Sequence, residues 1–488
     1  MILFLVGTAI LIIGGYFYGK FCEKIFQPDD RITPAIKKAD GVDYVVMKKW
    51  KNELIELLNI AGTGPILGPI QGILFGPIAF LTIPIGCVLA GACHDYFIGM
   101  ISMRNDGAQV PKMIQKYLGS KTNKVYNIII WILMLIVGVV FIYTPGDLIV
   151  NDILNMDVNG TVIWVVYGII LLYYLLATLF PIDKIIGRVY PVFGAILIVS
   201  AVGVFAGVLL DGGLNLHNIT EGVLLSRHPL GQSFIPVFFI TVACGILSGF
   251  HGSQITLISR TVRSEREGRS TFYNMMIAEG LIAMCWAAGA MVMFNRGTSL
   301  NTNATLMVGI ISKTFMGKIG GLLAIIGVIV LPITSGDTAF RSLRLMIGEQ
   351  FNISQKSVKN RIILSLAIYV FAIIILYFAK TNGNGFNLLW RYFGFTNQLV
   401  AVFALMLITV YLMINKKNYW ISMIPGIFYS FIVSSYIAHE DLGFSLDKRL
   451  GIDGYVASYI VGIIISCLFI FFVIKKGKGQ QNNPELLG

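Results

Sequence analysis

The sequence predicts an all-α integral membrane protein of about thirteen transmembrane helices, two of which are broken within the membrane. Three observations predict this fold class. Of the 488 residues, 56% are hydrophobic and only 13% are charged, and the mean hydropathy of +0.78 lies outside the range of soluble domains. Apolar runs long enough to cross a bilayer recur between short charged loops. Glycine and proline interrupt two of these runs.

The apolar runs define the predicted spans and leave no segment polar enough for a separate soluble domain. The run at 2–18 has no basic residue before it and no small-residue cleavage site after it, so we expect a retained helix and not a signal peptide. The predicted spans are residues 2–18, 55–73, 76–103, 123–145, 161–180, 189–210, 233–250, 272–294, 319–340, 362–379, 389–413, 419–438 and 456–474.

The positions of the charged residues predict the orientation of the chain. With the amino terminus outside, 29 of the 37 Lys and Arg residues fall in loops on the cytoplasmic side, so the positive-inside rule predicts an outer N-terminus and an inner C-terminus. The net charge of +12 therefore calls for no nucleic-acid partner. The six cysteines are scattered without CxxC spacing, which is typical of packing residues and not of disulfides or metal ligands.

Two glycine-rich interruptions predict the internal organisation. One is NIAGTGPILGP at 59–69, and the other, CGILSGFHG at 244–252, lies five spans later. Because five is odd, a second copy of a five-helix unit has to be inverted relative to the first, and paired broken helices are typical of a midplane binding site. We therefore predict repeats at 55–210 and 233–413, with additions at 1–54 and 414–488. Close helix packing through glycine is the alternative interpretation.

The breaks predict a substrate site. Backbone N–H groups around Thr63, Gly64, Ser248 and Gly249 would direct the positive ends of half-helices at a substrate carboxylate, which favours anionic or zwitterionic solutes. In the eleventh predicted span, Asn397 and Gln398 lie deep enough either to line this site or to connect helices.

Acidic residues within the spans are candidates for ion or proton coupling, because buried charge is costly and usually functional. Glu279 lies in an otherwise apolar span, where an unpaired carboxylate would be protonated or bound to a cation. Asp95, next to His94, is a support or gate residue or an interfacial cap. Asp337 is a further coupling candidate, with an i, i+4 pair to Arg341 as the alternative.

Two hydroxyl side chains could complete a sodium site. Thr334 and Ser335 have the side-chain type that adds to backbone carbonyls freed at a helix break, although they could equally bond to carbonyls of their own helix. The residues leave sodium and proton coupling both open.

Other function classes fit the sequence less well. The segment GILSG with His251 nearby suggests a serine hydrolase, but the nucleophile elbow needs a strand–turn–helix, and Ser248 and His251 are only three residues apart. A channel would need repeated pore-loop or ring-forming elements, which are not recognisable here. We therefore predict that the protein is not an enzyme.

Five segments together resemble the carbon starvation protein A (CstA) family. This resemblance implies an APC/LeuT-like fold with an inverted five-helix repeat. It also implies an inner-membrane transporter of peptides or pyruvate with no bound cofactor, and Glu279 and Asp337 fall at acidic positions of the family pattern. We accordingly expect an ion- or proton-coupled symporter whose partners are a small solute and the lipid bilayer. The segments are NIAGTGPILGPIQG (59–72), VLAGACHDYFIGMISMRNDG (88–107), FFITVACGILSGFHG (238–252), ITSGDTAFRSLRLMIGE (333–349) and LLWRYFGFTNQLVA (388–401).

Overall fold

The structure, a computed structural model, describes residues 1–40, 44–179, 183–212, 216, 228–300, 302–355, 357–481, 483 and 486, and it contains helices and no strands over those residues. Short helical turns at Pro34–Lys37, Phe234–Phe238, Phe239–Thr241 and Leu446–Leu450 lie between the longer elements. The longer helices are α1 (Ile2–Phe26), α2 (Lys49–Ile60), α3 (Gly64–Phe75), α4 (Ala79–Arg104), α5 (Val110–Leu118), α6 (Ser120–Ile153), α7 (Val162–Leu179), α8 (Asp183–Gly207), α9 (Gly249–Ile258), α10 (Glu265–Asn295), α11 (Ala304–Gln350), α12 (Val358–Thr381), α13 (Gly385–Ile414), α14 (Trp420–His439) and α15 (Val456–Gln480).

Many of these helices are long and apolar enough to cross a membrane. Over the described ranges there are nine such helices, or ten if α2 and α3, which meet at an angle of 50°, form one span. Two shorter apolar helices occupy Val162–Ala177 and Gly194–Leu210. The predicted all-α membrane fold is therefore confirmed, whereas the count of thirteen and the inverted repeat stay predictions.

Burial separates central from peripheral helices. In α13 and α10, 83% and 78% of the most apolar segment is buried, whereas the value is 33% in α1, α12 and α15. Helices that present most of their apolar surface outward lie at the periphery, where lipid or another protein chain can cover that surface. α1 and α15 were expected at the periphery, but α12 lies within the predicted second repeat.

The longest helix differs most from its predicted span. α11 has 47 residues, although only 319–340 was predicted to be apolar. It starts where the Asn303 side chain accepts a hydrogen bond from the Thr305 amide (2.9 Å), and Gly317 interrupts it with a φ of +67°. Hydropathy excluded the first part because Lys313 and Lys318 lower its average.

One end of the bundle carries a network of ion pairs, and we call it the basic face. The Arg104 guanidinium binds the Glu265 carboxylate at 3.0 Å, and Arg266 binds Asp30 at 2.7 Å. Lys417 donates a hydrogen bond to the backbone carbonyl of Phe26. All of these residues belong to helix ends or loops predicted on the cytoplasmic side.

The other end of the bundle, the opposite face, has its own buried pairs. Lys380 binds Asp147 at 2.8 Å, with the Tyr167 hydroxyl donating to the same carboxylate at 2.7 Å. Lys313 binds Asp152 at 2.5 Å. The four charged residues all belong to loops that were predicted outside, and Tyr167 belongs to the outer end of a predicted span. Both groupings agree with the predicted alternation of loops, while the absolute orientation stays a prediction.

Candidate functional site

The first break separates α2 from α3 at residues 61–63. Glycine before and proline after Thr63 prevent a continuous helix, because Gly62 is flexible and Pro65 lacks an amide hydrogen. The carbonyl of Thr63 accepts the Leu67 amide at 2.9 Å and so begins α3. The Thr63 side chain is wholly buried, and its hydroxyl has no hydrogen-bond partner among the described residues.

The second break lies at residues 242–248, between the turn Phe239–Thr241 and α9. Gly245 has a φ of +93°, which is accessible mainly to glycine, and Ser248 is extended before α9 begins at Gly249. Asn397 of α13 fixes this break. Its carbonyl oxygen accepts hydrogen bonds from the Ser248 hydroxyl (3.0 Å) and the Phe250 amide (2.8 Å).

The two breaks are in direct contact. A Cβ atom at Gly64 would overlap Cβ and Sγ of Cys244, and one at Gly68 would stand 3.0 Å from the carbonyl oxygen of Thr241. α3 therefore approaches the second break through a glycine surface. The glycines thus serve both interpretations of the sequence, because they interrupt the helices and also allow close packing.

The structure brings the predicted substrate residues together around this contact. Thr63 and Gly64 begin α3, while Ser248 and Gly249 begin α9. Gln398 has a different position, since its amide nitrogen donates to the Phe239 carbonyl at 2.5 Å. Asn397 and Gln398, both wholly buried, therefore hold the second break and the turn before it in place.

Five ionisable side chains form a wholly buried group beside the breaks, and we call them the carboxyl–imidazole cluster. Nδ1 of His94 lies 2.7 Å from one Asp95 oxygen, and Nδ1 of His251 lies 3.0 Å from the other. Nε2 of His251 lies 3.5 Å from the Glu279 carboxylate. The fifth member, Glu56 of α2, is within electrostatic range of Asp95 and Glu279.

The cluster has too few hydrogen bonds for its charges. Neither oxygen of Glu56 nor of Glu279 has a hydrogen-bond partner among the described residues, and neither does Nε2 of His94 or of His251. Burying an ionised carboxylate without a partner costs free energy. Such a group therefore holds a proton or pairs with a positively charged neighbour. No set of three His, Cys, Asp or Glu side chains in the described parts of the chain has the arrangement of a metal site. Carboxyl and imidazole groups can each bind and release a proton, so the cluster is suited to binding and moving protons.

The remaining predicted coupling residues lie on α11 and make local contacts. Asp337 binds Arg341 at 3.1 Å, which is the i, i+4 pair considered as its alternative. The Thr334 hydroxyl donates to the carbonyls of Leu331 (2.9 Å) and Val330 (3.2 Å). Ser335 is buried beside them. α11 packs against α3, so a sodium site between these helices stays a prediction.

Sequence reasoning missed one residue and one contact. Glu56 lies four residues before the end of α2, and a glutamate so close to a predicted break was a usable signal. The pairing of His251 with Asp95 joins residues 156 positions apart, and a single sequence carries no signal for such a contact.

Cavities open at both faces. One of about 940 Å³ on the basic face is lined by Lys112, Lys116 and Arg260 among others. A second, of about 320 Å³ on the opposite face, includes His228 and reaches Thr241 beside the second break. Its volume is in the range of small-molecule sites.

His228 and Lys417, which lie outside the predicted spans, have lowered pKa values. Burial, with the nearby Arg391 charge, lowers the pKa of His228 to about 4, so this ring is neutral at physiological pH. Burial, with the Arg104 charge, lowers the pKa of Lys417 to about 8. The basic face therefore contains an amine that titrates near neutrality.

Comparison with known sequences identifies similar proteins. The sequence model described as carbon starvation protein CstA matches residues 1–173, 145–309 and 287–435. An uncharacterized membrane protein of Haemophilus influenzae is 40% identical over 347 residues, which cover 62% of this chain and 93% of the relative. The protein named peptide transporter CstA of Escherichia coli is 23% identical, with 91% of this chain and 81% of the relative covered.

Comparison with solved structures concerns the fold. A manganese transporter of Eremococcus coleocola, solved with an aromatic bis-isothiourea substituted compound, superposes with a TM-score of 0.55 at 14% identity. The match covers 90% of this chain and 98% of the transporter. At this identity the likeness extends to the fold and not to the transported ion.

Proposed function

The chain belongs to the carbon starvation protein CstA family, and on that premise we propose that it is a proton-coupled secondary transporter of small carboxylate-bearing solutes. It works by alternating access, and peptides and pyruvate are the candidate solutes. Relatives in Escherichia coli and Campylobacter jejuni carry the name peptide transporter CstA. The membrane is the bacterial cytoplasmic membrane, with the basic face inside and the N-terminus outside.

The contact between the two breaks supports the placement of the solute. α3 and α9 begin at Gly64 and Gly249, and a helix start presents its positive dipole end and free amides to an anion, with the Phe250 amide of α9 already donated to Asn397. The unpartnered hydroxyl of Thr63 adds a donor at the same place. The cavity that reaches Thr241 gives a solute access from the opposite face. A carboxylate is the group that these donors would bind.

The carboxyl–imidazole cluster is the observation that carries proton coupling. His251 lies between Asp95 and Glu279, so its ring can accept a proton from one carboxyl on one nitrogen and release a proton to the other carboxyl from the other nitrogen. Because α9 begins at the second break, a solute bound there would change the position of His251 and hence the affinity of the cluster for protons. This link between occupancy and protonation is what a symporter requires.

Uptake into proteoliposomes tests the proposal. Labelled pyruvate and a labelled dipeptide are supplied under a proton gradient, a sodium gradient or no gradient. Accumulation of one solute under the proton gradient alone is expected, and accumulation under the sodium gradient alone would instead favour a site at Thr334 and Ser335. If neither solute accumulates under any gradient, the proposal fails for both substrate classes.

A substitution of Glu279 tests whether the carboxyl–imidazole cluster is needed for coupled uptake. In Glu279→Gln the amide cannot exchange a proton, so gradient-driven accumulation is expected to be lost while solute exchange between the two sides persists. Glu349→Gln, which alters an exposed glutamate of α11, is the matched control and should accumulate solute normally. Wild-type accumulation by Glu279→Gln would remove Glu279 from the coupling mechanism.

A further inference from the structure

Glu56 differs from the other acids of the cluster because no imidazole contacts it. The side chain is wholly buried, and both carboxyl oxygens lack a hydrogen-bond partner among the described residues. α2 packs against α9 and α10, which carry His251 and Glu279, and the carboxylates of Asp95 on α4 and of Glu279 on α10 lie within electrostatic range of Glu56. No lysine or arginine of the described chain forms an ion pair with it within 4 Å.

The charges around Glu56 determine whether its carboxyl is protonated. The Asp95 carboxylate has two imidazoles, and Glu279 has one imidazole nitrogen at 3.5 Å. A third negative charge, without a donor and next to two other carboxylates, would bear the full cost of desolvation and repulsion. Glu56 in this conformation is therefore a neutral acid that carries its own proton.

The position of Glu56 allows that proton to be exchanged. Glu56 lies seven residues from Lys49, the first residue of α2, and so about 10 Å along the helix from the basic face. α2 is a half-helix of its own, bent by 50° from α3. The side chain of Glu53, one turn nearer the end, is already 24% exposed. A small tilt of α2 about the break would bring Glu56 to water.

We propose that Glu56 is a second proton-binding site, which takes up one proton in the conformation seen here and releases it to water at the basic face when α2 tilts. The transporter would then move two protons for each solute, one through Glu279 and one on Glu56. This inference rests on the proposed function, because a proton stoichiometry has meaning only for a coupled transporter.

The number of protons moved with each solute can be measured from the highest ratio of inside to outside solute concentration that the transporter sustains. With the membrane potential clamped at zero and a gradient of one pH unit, each coupled proton multiplies the limiting concentration ratio by about ten. Wild type is expected to approach about 100-fold and Glu56→Gln about tenfold, since the variant carries one proton fewer. Glu53→Gln on the same helix is the matched control and should behave as wild type, because Glu53 is partly exposed and contacts Lys49 at 3.8 Å.

One further variant tests the inference, and a spectroscopic measurement tests it independently of the accumulation limit. Glu56→Asp retains the acid, so it should reach the wild-type limit at a lower rate. Infrared difference spectra should contain a protonated-carboxyl band that is absent from Glu56→Gln and present in Glu53→Gln. An unchanged limit in Glu56→Gln, or the same band in both glutamine variants, would overturn the inference.

The two proposals fail in different ways. If wild type accumulates no solute under any gradient, the proposed function fails, while the infrared band still reports whether Glu56 carries a proton. If wild type accumulates solute to the tenfold limit of Glu56→Gln, coupled transport stands and the second proton site is refuted.

Discussion

Replacing Asn397 by alanine is expected to release the second break. The substitution removes the one acceptor for two buried donors, the Ser248 hydroxyl and the Phe250 amide. Each buried donor left without a partner costs about 1–3 kcal/mol. The Ser248 hydroxyl can still turn towards the Cys244 sulfur at 3.8 Å, so the expected loss of unfolding free energy is about 2–4 kcal/mol, in the lower part of the summed range.

The measurement is reversible unfolding of the purified protein in mixed micelles with increasing SDS, alongside solute uptake. Asn387→Ala is the matched control on the same helix, because that side chain bonds only Asn384 in a partly exposed position and should cost about 0.5 kcal/mol or less. Equal losses in the two variants would refute the idea that Asn397 fixes the break.

A double-mutant cycle separates the bond from general disruption. Ser248→Ala removes one of the two donors, so it should destabilise the wild type by about 1 kcal/mol and the Asn397→Ala variant by much less. The coupling energy is then about 1 kcal/mol. Strict additivity would mean that the 3.0 Å contact contributes nothing to stability.

Three further outcomes are expected. Gly64→Ala should abolish solute uptake, because the added Cβ overlaps Cys244. Adding Cys244→Gly to that variant should restore part of the uptake. Absence of any rescue would argue against contact between the breaks. Glu265→Gln should lower the unfolding free energy by about 2 kcal/mol, since it leaves the buried Arg104 guanidinium with only the half-exposed Asp29 carboxylate at 3.8 Å as counter-charge, and a loss below about 1 kcal/mol would mean that the pair contributes little to stability. The rate of acylation of the Lys417 amine should rise with pH around a midpoint near 8, and this acylation should disappear in Lys417→Arg. A midpoint near 10.5, the usual pKa of lysine, would mean that the amine is not buried. Because the folded pKa of Lys417 is below the unfolded value, its charged form is disfavoured in the fold, and its contribution to stability should increase as pH rises from about 8 to about 10.

Local chemistry made some features predictable. The first break follows from glycine and proline on both sides of Thr63, and the i, i+4 spacing of Asp337 and Arg341 is visible in the sequence. Both depend on neighbours within one or two turns, so a single sequence suffices. The structure places the break at residues 61–63, within the predicted segment.

Long-range contacts were the part that could not be predicted. Asn397 and Gln398 were expected to line the substrate site or to connect helices, and the structure uses both to hold the second break. Glu56 was overlooked although it lies inside the predicted span 55–73, because it stands one residue from the start of that span, where a charged side chain is ordinarily interfacial. α2 in fact begins at Lys49, and Glu56 is buried. Averaged hydropathy locates the apolar centre of a helix and loses its polar end, where a functional carboxyl can lie.

The contact between Gly64 and Cys244 also has a consequence for biosynthesis. About 180 residues separate the two positions, so at roughly 5–20 residues per second the ribosome adds the second partner about 10–40 s after the first. Until then, the glycine surface of α3 and the Glu56 carboxyl of α2 have emerged without the helices that later enclose them. A nascent chain that stops before Cys244 would therefore keep this carboxyl near water at the bilayer surface, and α2 would enter its final position only after the second half of the protein has been made.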